Sequence, residues 1–150
     1  MAQFTTTIQT PGLDVSAAFA HLADFSSAEQ WDPGVAKASR DQQGPIEVGS
    51  SFTVVADFLG RQIPLTYRIV DLVADERVVL RAENASVVSL DTLTFVASDS
   101  GASVTYDAVL DGKGAMRLAG PFLQLLFNRI GHKAEAGLRA YLAALVPVGS

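Results

Sequence analysis

Cysteine is absent from this 150-residue chain. That excludes disulfides, thiolate metal sites and a cysteine nucleophile, and it is compatible with a reducing compartment. Histidine occurs twice and tryptophan once. Positive charge is also in deficit, with 11 Lys and Arg against 16 Asp and Glu and a formal net charge of −5. A chain so poor in cations is not expected to neutralise phosphates, so nucleic acid is excluded as a partner and anionic headgroups exert little pull. Long hydrophobic runs are missing as well. The uncharged stretch Leu118 to Asn128 falls well short of the roughly 20 apolar residues a membrane span needs, and the start MAQFTTTIQT lacks the basic-then-apolar pattern of a secretory signal. The expectation is a cytoplasmic protein without stable membrane insertion. No GxGxxG, Walker or H-E-x-x-H pattern is present, so neither a nucleotide cofactor nor a metal site is expected.

What the chain has in quantity is apolar residues, 49% of the total, enough for one domain over residues 1–150 to bury a core without staples. Ala115 to Val146 is the one long segment whose apolar residues recur at helical spacing. At about 100° per residue, Arg117, Gln124, Asn128, His132, Glu135 and Arg139 form a polar stripe. Phe122, Leu126, Ile130, Ala134, Leu138, Tyr141 and Leu145 fall opposite it. Pro121 removes a helical hydrogen bond, which predicts a bend near Gly120-Pro121 and a separate lead-in from Ala115. Gly131 and Gly137 each cost about 1 kcal/mol of helix propensity, which close packing against a sheet would explain.

Everything before that helix reads as strands with one interruption. Phe4 to Thr10 is β-branched and ends at Pro11-Gly12, a first strand and its turn. Asp14 to Asp24 switches to helical spacing with Asp14 as the cap, and Ser26-Ser27-Ala28-Glu29 has the spacing of a capping box, closed by Trp31-Asp32-Pro33-Gly34. From Val35 the pattern is strand and turn. Val35 to Asp41 is a weak strand; Phe52, Val54, Ala56 and Phe58 alternate with polar residues, and Gly60-Arg61 reverses the chain into Ile63, Leu65, Tyr67 and Ile69. Runs through Val78 to Ala82, Val87 to Ala97 and Val104 to Leu110 complete an antiparallel meander.

This order, with the segments AEQWDPGV, PLTYRIVDL and VTYDAVLDGKG running into RLAGPFLQLLF, resembles the SRPBCC or START-like superfamily over nearly the whole chain. The similarity is strongest to its bacterial polyketide cyclase/dehydrase and lipid-transport-like members. The resemblance implies an α+β helix-grip fold: a curved antiparallel sheet of about seven strands wrapped around the C-terminal helix, two short helices after strand 1, and a cavity between sheet and helix. It leaves the activity open, because carriers, cyclases, hydroxylase domains and co-chaperones share that scaffold. The iron–sulfur hydroxylases carry a Cys/His cluster domain that this chain lacks.

Few residues could do chemistry in such a cavity. His132 falls in the polar stripe and His21 on a short amphipathic helix, so both are expected to face solvent, and a Ser-His-Asp triad finds no histidine. Strand alternation puts Tyr67 on the face of Ile63 and Leu65, and Tyr106 on the face of Val104 and Ala108. Ser89 and Asp91 join Val87, Leu93 and Phe95, unless a bulge in that long strand shifts its register. Tyr67, Tyr106 and Asp91 are the catalytic candidates, with the alternatives that each tyrosine is a hydrogen-bonded core residue and that Asp91 lies at the surface. Arg68 and Arg81 take the opposite parity. Trp31, Phe58, Tyr67, Ser89, Phe95, Tyr106, Met116, Leu118, Phe122 and Leu126 are the expected ligand-contacting set, with Met116, Leu118 and Phe122 as an apolar gate at the bend. The favoured function is binding or transport of a small hydrophobic ligand such as a lipid, polyketide, isoprenoid or aromatic metabolite. A cyclase/dehydratase-like enzyme and a co-chaperone-like interaction module are the alternatives, and a second copy of the chain is a further candidate partner.

Overall fold

A computed structural model describes residues 1–147. Seven strands form one antiparallel sheet in the order β1-β7-β6-β5-β4-β3-β2: β1 (Ala2–Pro11), β2 (Val35–Arg40), β3 (Ser51–Phe58), β4 (Arg61–Val73), β5 (Arg77–Glu83), β6 (Val87–Ala97) and β7 (Gly101–Gly112). Strands β1 and β2, adjacent in sequence, lie at opposite edges. Helix α1 (Val15–Ala23), a 3₁₀ turn at Phe25–Ser27 and helix α2 (Ala28–Trp31) carry the chain between them. The long helix α3 (Gly120–Ala144) lies in the hollow of the curled sheet, packed chiefly along β1 and α2. This is the helix-grip α+β arrangement.

Period-2 alternation holds through the strands that matter. β6 pairs β7 without a break, Asp91 opposite Ala108 and Leu93 opposite Tyr106, so the suspected bulge in β6 is absent. The register shifts fall instead between Val35 and Lys37 on β2 and between Ile69 and Asp71 on β4, where an extra residue adds the local twist that helps the sheet curl. The β3–β4 turn is Leu59-Gly60 rather than Gly60-Arg61, since Phe58 pairs with Arg61 and both loop residues have positive φ, 52° and 77°. Positive φ at both central positions is the primed two-residue turn that matches strand twist.

Local capping is partly as read. Asp14 accepts from the Ala17 N–H at 2.8 Å and caps α1. The capping box at Ser26 to Glu29 is not made: Asp24 caps the 3₁₀ turn through the Ser26 N–H, and the Glu29 carboxylate accepts from the Ala38 N–H of β2. Ser27 instead accepts from the Trp31 indole at 3.2 Å.

The separate lead-in expected before Pro121 is present: it is a 3₁₀ turn, Gly114–Ala119, followed by α3. Pro121 sits in the first turn of α3, where its missing N–H costs no hydrogen bond. The buried face of α3 is Leu123, Gly131, Ala134, Leu138 and Leu142, whereas Phe122 is 60% exposed. A row stepped by four residues drifts about 40° per step, so the row from Leu138 back to Phe122 turns out of the core at its beginning.

The polar stripe is also only partly wet. The Gln124 side chain accepts from the Gln3 N–H and donates to the Gln3 carbonyl, both at 2.9 Å, which satisfies part of the open edge of β1. Thr6 donates to Glu135. Gly131 lets the helix close on Phe4 of β1, since an added Cβ would lie 2.3 Å from that ring. Gly137 meets α2 rather than the sheet, and its added Cβ would stand 1.8 Å from the Trp31 carbonyl oxygen.

Candidate functional site

The inward faces of β3, β4, β6 and β7 and the apolar face of α3 do not meet completely. Between them lies a cavity of about 510 Å³, within the size range of small-molecule sites. Its walls are apolar: Val54, Ala56 and Phe58 from β3, Ile63 and Leu65 from β4, Val87 from β6, Ala108 and Leu110 from β7, Phe127, Ile130 and Ala134 from α3. Burial deepens along three strands in concert. On β4 Ile63 and Leu65 are half-buried and Tyr67 is buried; on β6 the sequence runs from Val87 to Ser89 and Asp91, and on β7 from Leu110 to Ala108 and Tyr106. The mouth therefore lies by the exposed Arg61, Gln62 and Ser86 at the β3–β4 and β5–β6 turns, near Met116.

The deep end is polar. Tyr106 donates its phenol to Asp91 Oδ2 at 3.1 Å, the Ser89 hydroxyl lies 3.5 Å from Asp91 Oδ1, and Tyr67 and Ser89 share a 2.8 Å hydrogen bond. All four side chains line the cavity. Asp91 is 4% exposed, and burial among apolar walls pushes its carboxyl up to about 7, against the opposing pull of the Tyr106 and Ser89 hydrogen bonds. A second carboxylate, Asp32, lines the same cavity. Burial raises its proton affinity too, opposed by the Gly34 N–H that it accepts at 2.9 Å. Burial followed by the Asp91 charge raises the Tyr67 and Tyr106 phenols above their ordinary value, so both remain neutral donors. A carboxyl near neutrality can hold or release a proton at physiological pH. Sequence reasoning named Asp91 from parity alone but missed Asp32, which sits in a turn where no periodicity reports direction.

Of the expected ligand-contacting residues, Phe58, Tyr67, Ser89, Tyr106 and Met116 line the cavity. The other five do not. Trp31 is buried behind Tyr106, its ring edge-on with centroids 5.5 Å apart, and its indole is satisfied by Ser27. Phe95 has the parity of Asp91 but lies under α1, edge-on to Phe19 at 5.3 Å. Leu118 and Phe122 point outward, 89% and 60% exposed, and Leu126 is half-buried outside the lining. Of the expected gate, only Met116 borders the cavity. Both histidines are exposed, His132 against the Phe4 ring and His21 near Tyr141. Among the described residues no group of three His, Cys, Asp or Glu could hold a metal ion, and no helix is long and apolar enough to cross a membrane.

Comparison with solved structures places this arrangement among known folds. A START-superfamily protein from Mycobacterium smegmatis superposes with a TM-score of 0.76 at 11% identity, over 96% of this chain and 97% of the other. A protein from Thermus thermophilus gives 0.76 at 11% identity over 97% and 99%. The Zhui aromatase/cyclase from a Streptomyces species gives 0.72 at 15% identity over 99% and 96%. At such identities the likeness is one of fold. Among curated protein sequences none matches significantly. The family described as polyketide cyclase / dehydrase and lipid transport matches residues 1–144, and a match over so much of the chain, joined to the grip around α3, makes this protein a member of that family.

Proposed function

We propose that the protein binds a small hydrophobic molecule between sheet and helix and carries it in the cytoplasm. The observation that supports this is the 510 Å³ cavity with apolar walls and a polar deep end. Closing it would bury further apolar surface at about 25 cal/mol per Å², and the chain leaves it open even though small residues such as Ala108 and Ala134 border it. A buried polar cluster at the deep end, with apolar walls between it and the mouth, suits orienting a ligand more than hydrating it. The test is saturable uptake of the neutral probe N-phenyl-1-naphthylamine by the folded protein. One site per chain is expected, with at least tenfold weaker uptake after Ala134→Phe fills the space. Absence of saturable uptake, or uptake indifferent to that substitution, refutes the reading.

A second reading draws on the Tyr106–Asp91 hydrogen bond. A carboxyl that titrates near neutrality beside a neutral phenol suits proton transfer next to a carbonyl: Asp91 takes or returns the proton, and Tyr106, released from Asp91 once that carboxyl is protonated, turns its hydroxyl to the oxygen. That is the chemistry of a cyclase or dehydratase acting on a poly-carbonyl chain. Turnover of such a substrate should fall at least tenfold in both Asp91→Asn and Tyr106→Phe, and unchanged rates in either remove that residue from the chemistry.

A further inference from the structure

The sign and direction of the polar groups at the deep end constrain what the cavity can hold. Among the described lining residues, Asp32, Asp57 and Asp91 are acidic and Arg61 is the single cation. Arg61 sits at the exposed mouth, so nothing positive stands at the deep end. The hydroxyls there bond to one another and to Asp91. Tyr106 donates to Asp91. The Ser89 hydroxyl lies 2.8 Å from the Tyr67 hydroxyl, where either can be the donor, and 3.5 Å from Asp91 Oδ1. With Asp91 ionised, the lone pairs that remain toward the cavity include those of the Asp91 carboxylate not used by its donors and the Asp32 oxygen not held by Gly34. Such a surface repels a ligand carboxylate or phosphate and is matched by a hydrogen-bond donor, best a charged one. The rings of Phe25, Tyr67 and Tyr106 border the same end, and aromatic rings accommodate an organic cation. A metal ion is a poor match, since no third carboxylate or imidazole joins the pair.

We propose that the ligand is an apolar amine, bound in its protonated form with the ammonium group at Asp91 and Asp32 and the apolar body directed along β4 and β6 toward the mouth. The inference rests on the hydrophobic-ligand reading above and adds to it the chemistry of the buried head. Its sharpest consequence is discrimination between molecules of equal size and different head.

The experiment is calorimetric titration of decylamine, decanol and decanoate, at concentrations below micelle formation, into the wild-type chain and into Asp91→Asn and Asp32→Asn, with each variant's fold checked by circular dichroism. The amine should bind at least tenfold more tightly than the alcohol and more tightly still than the carboxylate. Either substitution should reduce amine affinity at least tenfold while moving alcohol affinity less than about threefold. Asp32, the less buried of the two, keeps the test open should Asp91→Asn fail to fold. An amine that binds no better than the alcohol or the carboxylate overturns the proposal and leaves the hydrophobic-ligand reading standing. Failure of all three probes to bind the folded wild type overturns both.

Discussion

Tyr106 on β7 donates a 3.1 Å hydrogen bond to Asp91 on the neighbouring strand β6, and the pair lies buried at the inner end of a cavity whose walls are mainly apolar. The two groups move each other's proton affinity in opposite senses. The phenol's bond holds the Asp91 carboxyl lower than burial alone would, while the carboxylate charge raises the phenol. The chemistry of the cavity turns on that balance, and it can be probed directly.

Stability should fall as pH rises through neutrality. The Asp91 carboxyl keeps its proton to about 7 in the fold, whereas in the unfolded chain an aspartate loses it near about 4. Between those values the native state binds a proton that the unfolded state has released, so the contribution is fully present below about pH 4 and lost as pH climbs through about 7. About 2–3 kcal/mol should disappear between roughly pH 5 and pH 8, read from urea midpoints. Asp91→Asn should flatten most of this slope, and the part that remains should track Asp32, which burial shifts the same way.

Tyr106→Phe should raise the Asp91 carboxyl further, because it removes the larger of the two hydrogen bonds that hold it down. Carbon-detected NMR titration of the side-chain carboxyl reads that shift. The lost bond to an ionised acceptor should cost about 1–3 kcal/mol at pH values where Asp91 is charged. A downward or absent shift would show that the phenol does not hold the carboxylate.

Gly137→Ala should destabilise the protein despite alanine's better helix propensity. An added Cβ stands 1.8 Å from the Trp31 carbonyl oxygen, a rigid backbone atom, so α3 and α2 must part. Overpacking of this kind costs about 1–3 kcal/mol. Gly120→Ala, where an added Cβ meets nothing within 4 Å, is the matched control and should be neutral or mildly stabilising in thermal unfolding.

Leu123 and Phe122 should respond in opposite ways to truncation. Leu123 is 3% exposed and Phe122 is 60% exposed. Leu123→Ala should cost about 2–5 kcal/mol, and Phe122→Ala should stay within about 0.5 kcal/mol. Equal losses by denaturant titration would mean that Phe122 is covered in solution.

What the sequence determined by itself is the order of elements and the side of the sheet on which each strand residue falls. Strand alternation has a period of two with no drift, so an unbroken ladder carries parity intact from Val87 to Phe95, and Ser89 and Asp91 had to share a face with Leu93. The same logic placed Tyr67, Tyr106 and Phe58. Helical phase is less forgiving, and the step of four residues per turn carried Phe122 out to solvent, 60% exposed. Parity says which face, never how deep. Phe95 and Asp91 are equivalent by sequence, and only the docking of α1, with Phe19 against Phe95, makes one core and the other cavity wall. Trp31 was removed from the cavity by contacts with Tyr106 and Ser27, partners distant or invisible in any local pattern. Asp32 was brought to the cavity by a turn. The elevated proton affinity of Asp91 likewise belongs to the assembled fold, because it arises from loss of water on all sides at once, and no single segment of the chain can remove that water alone.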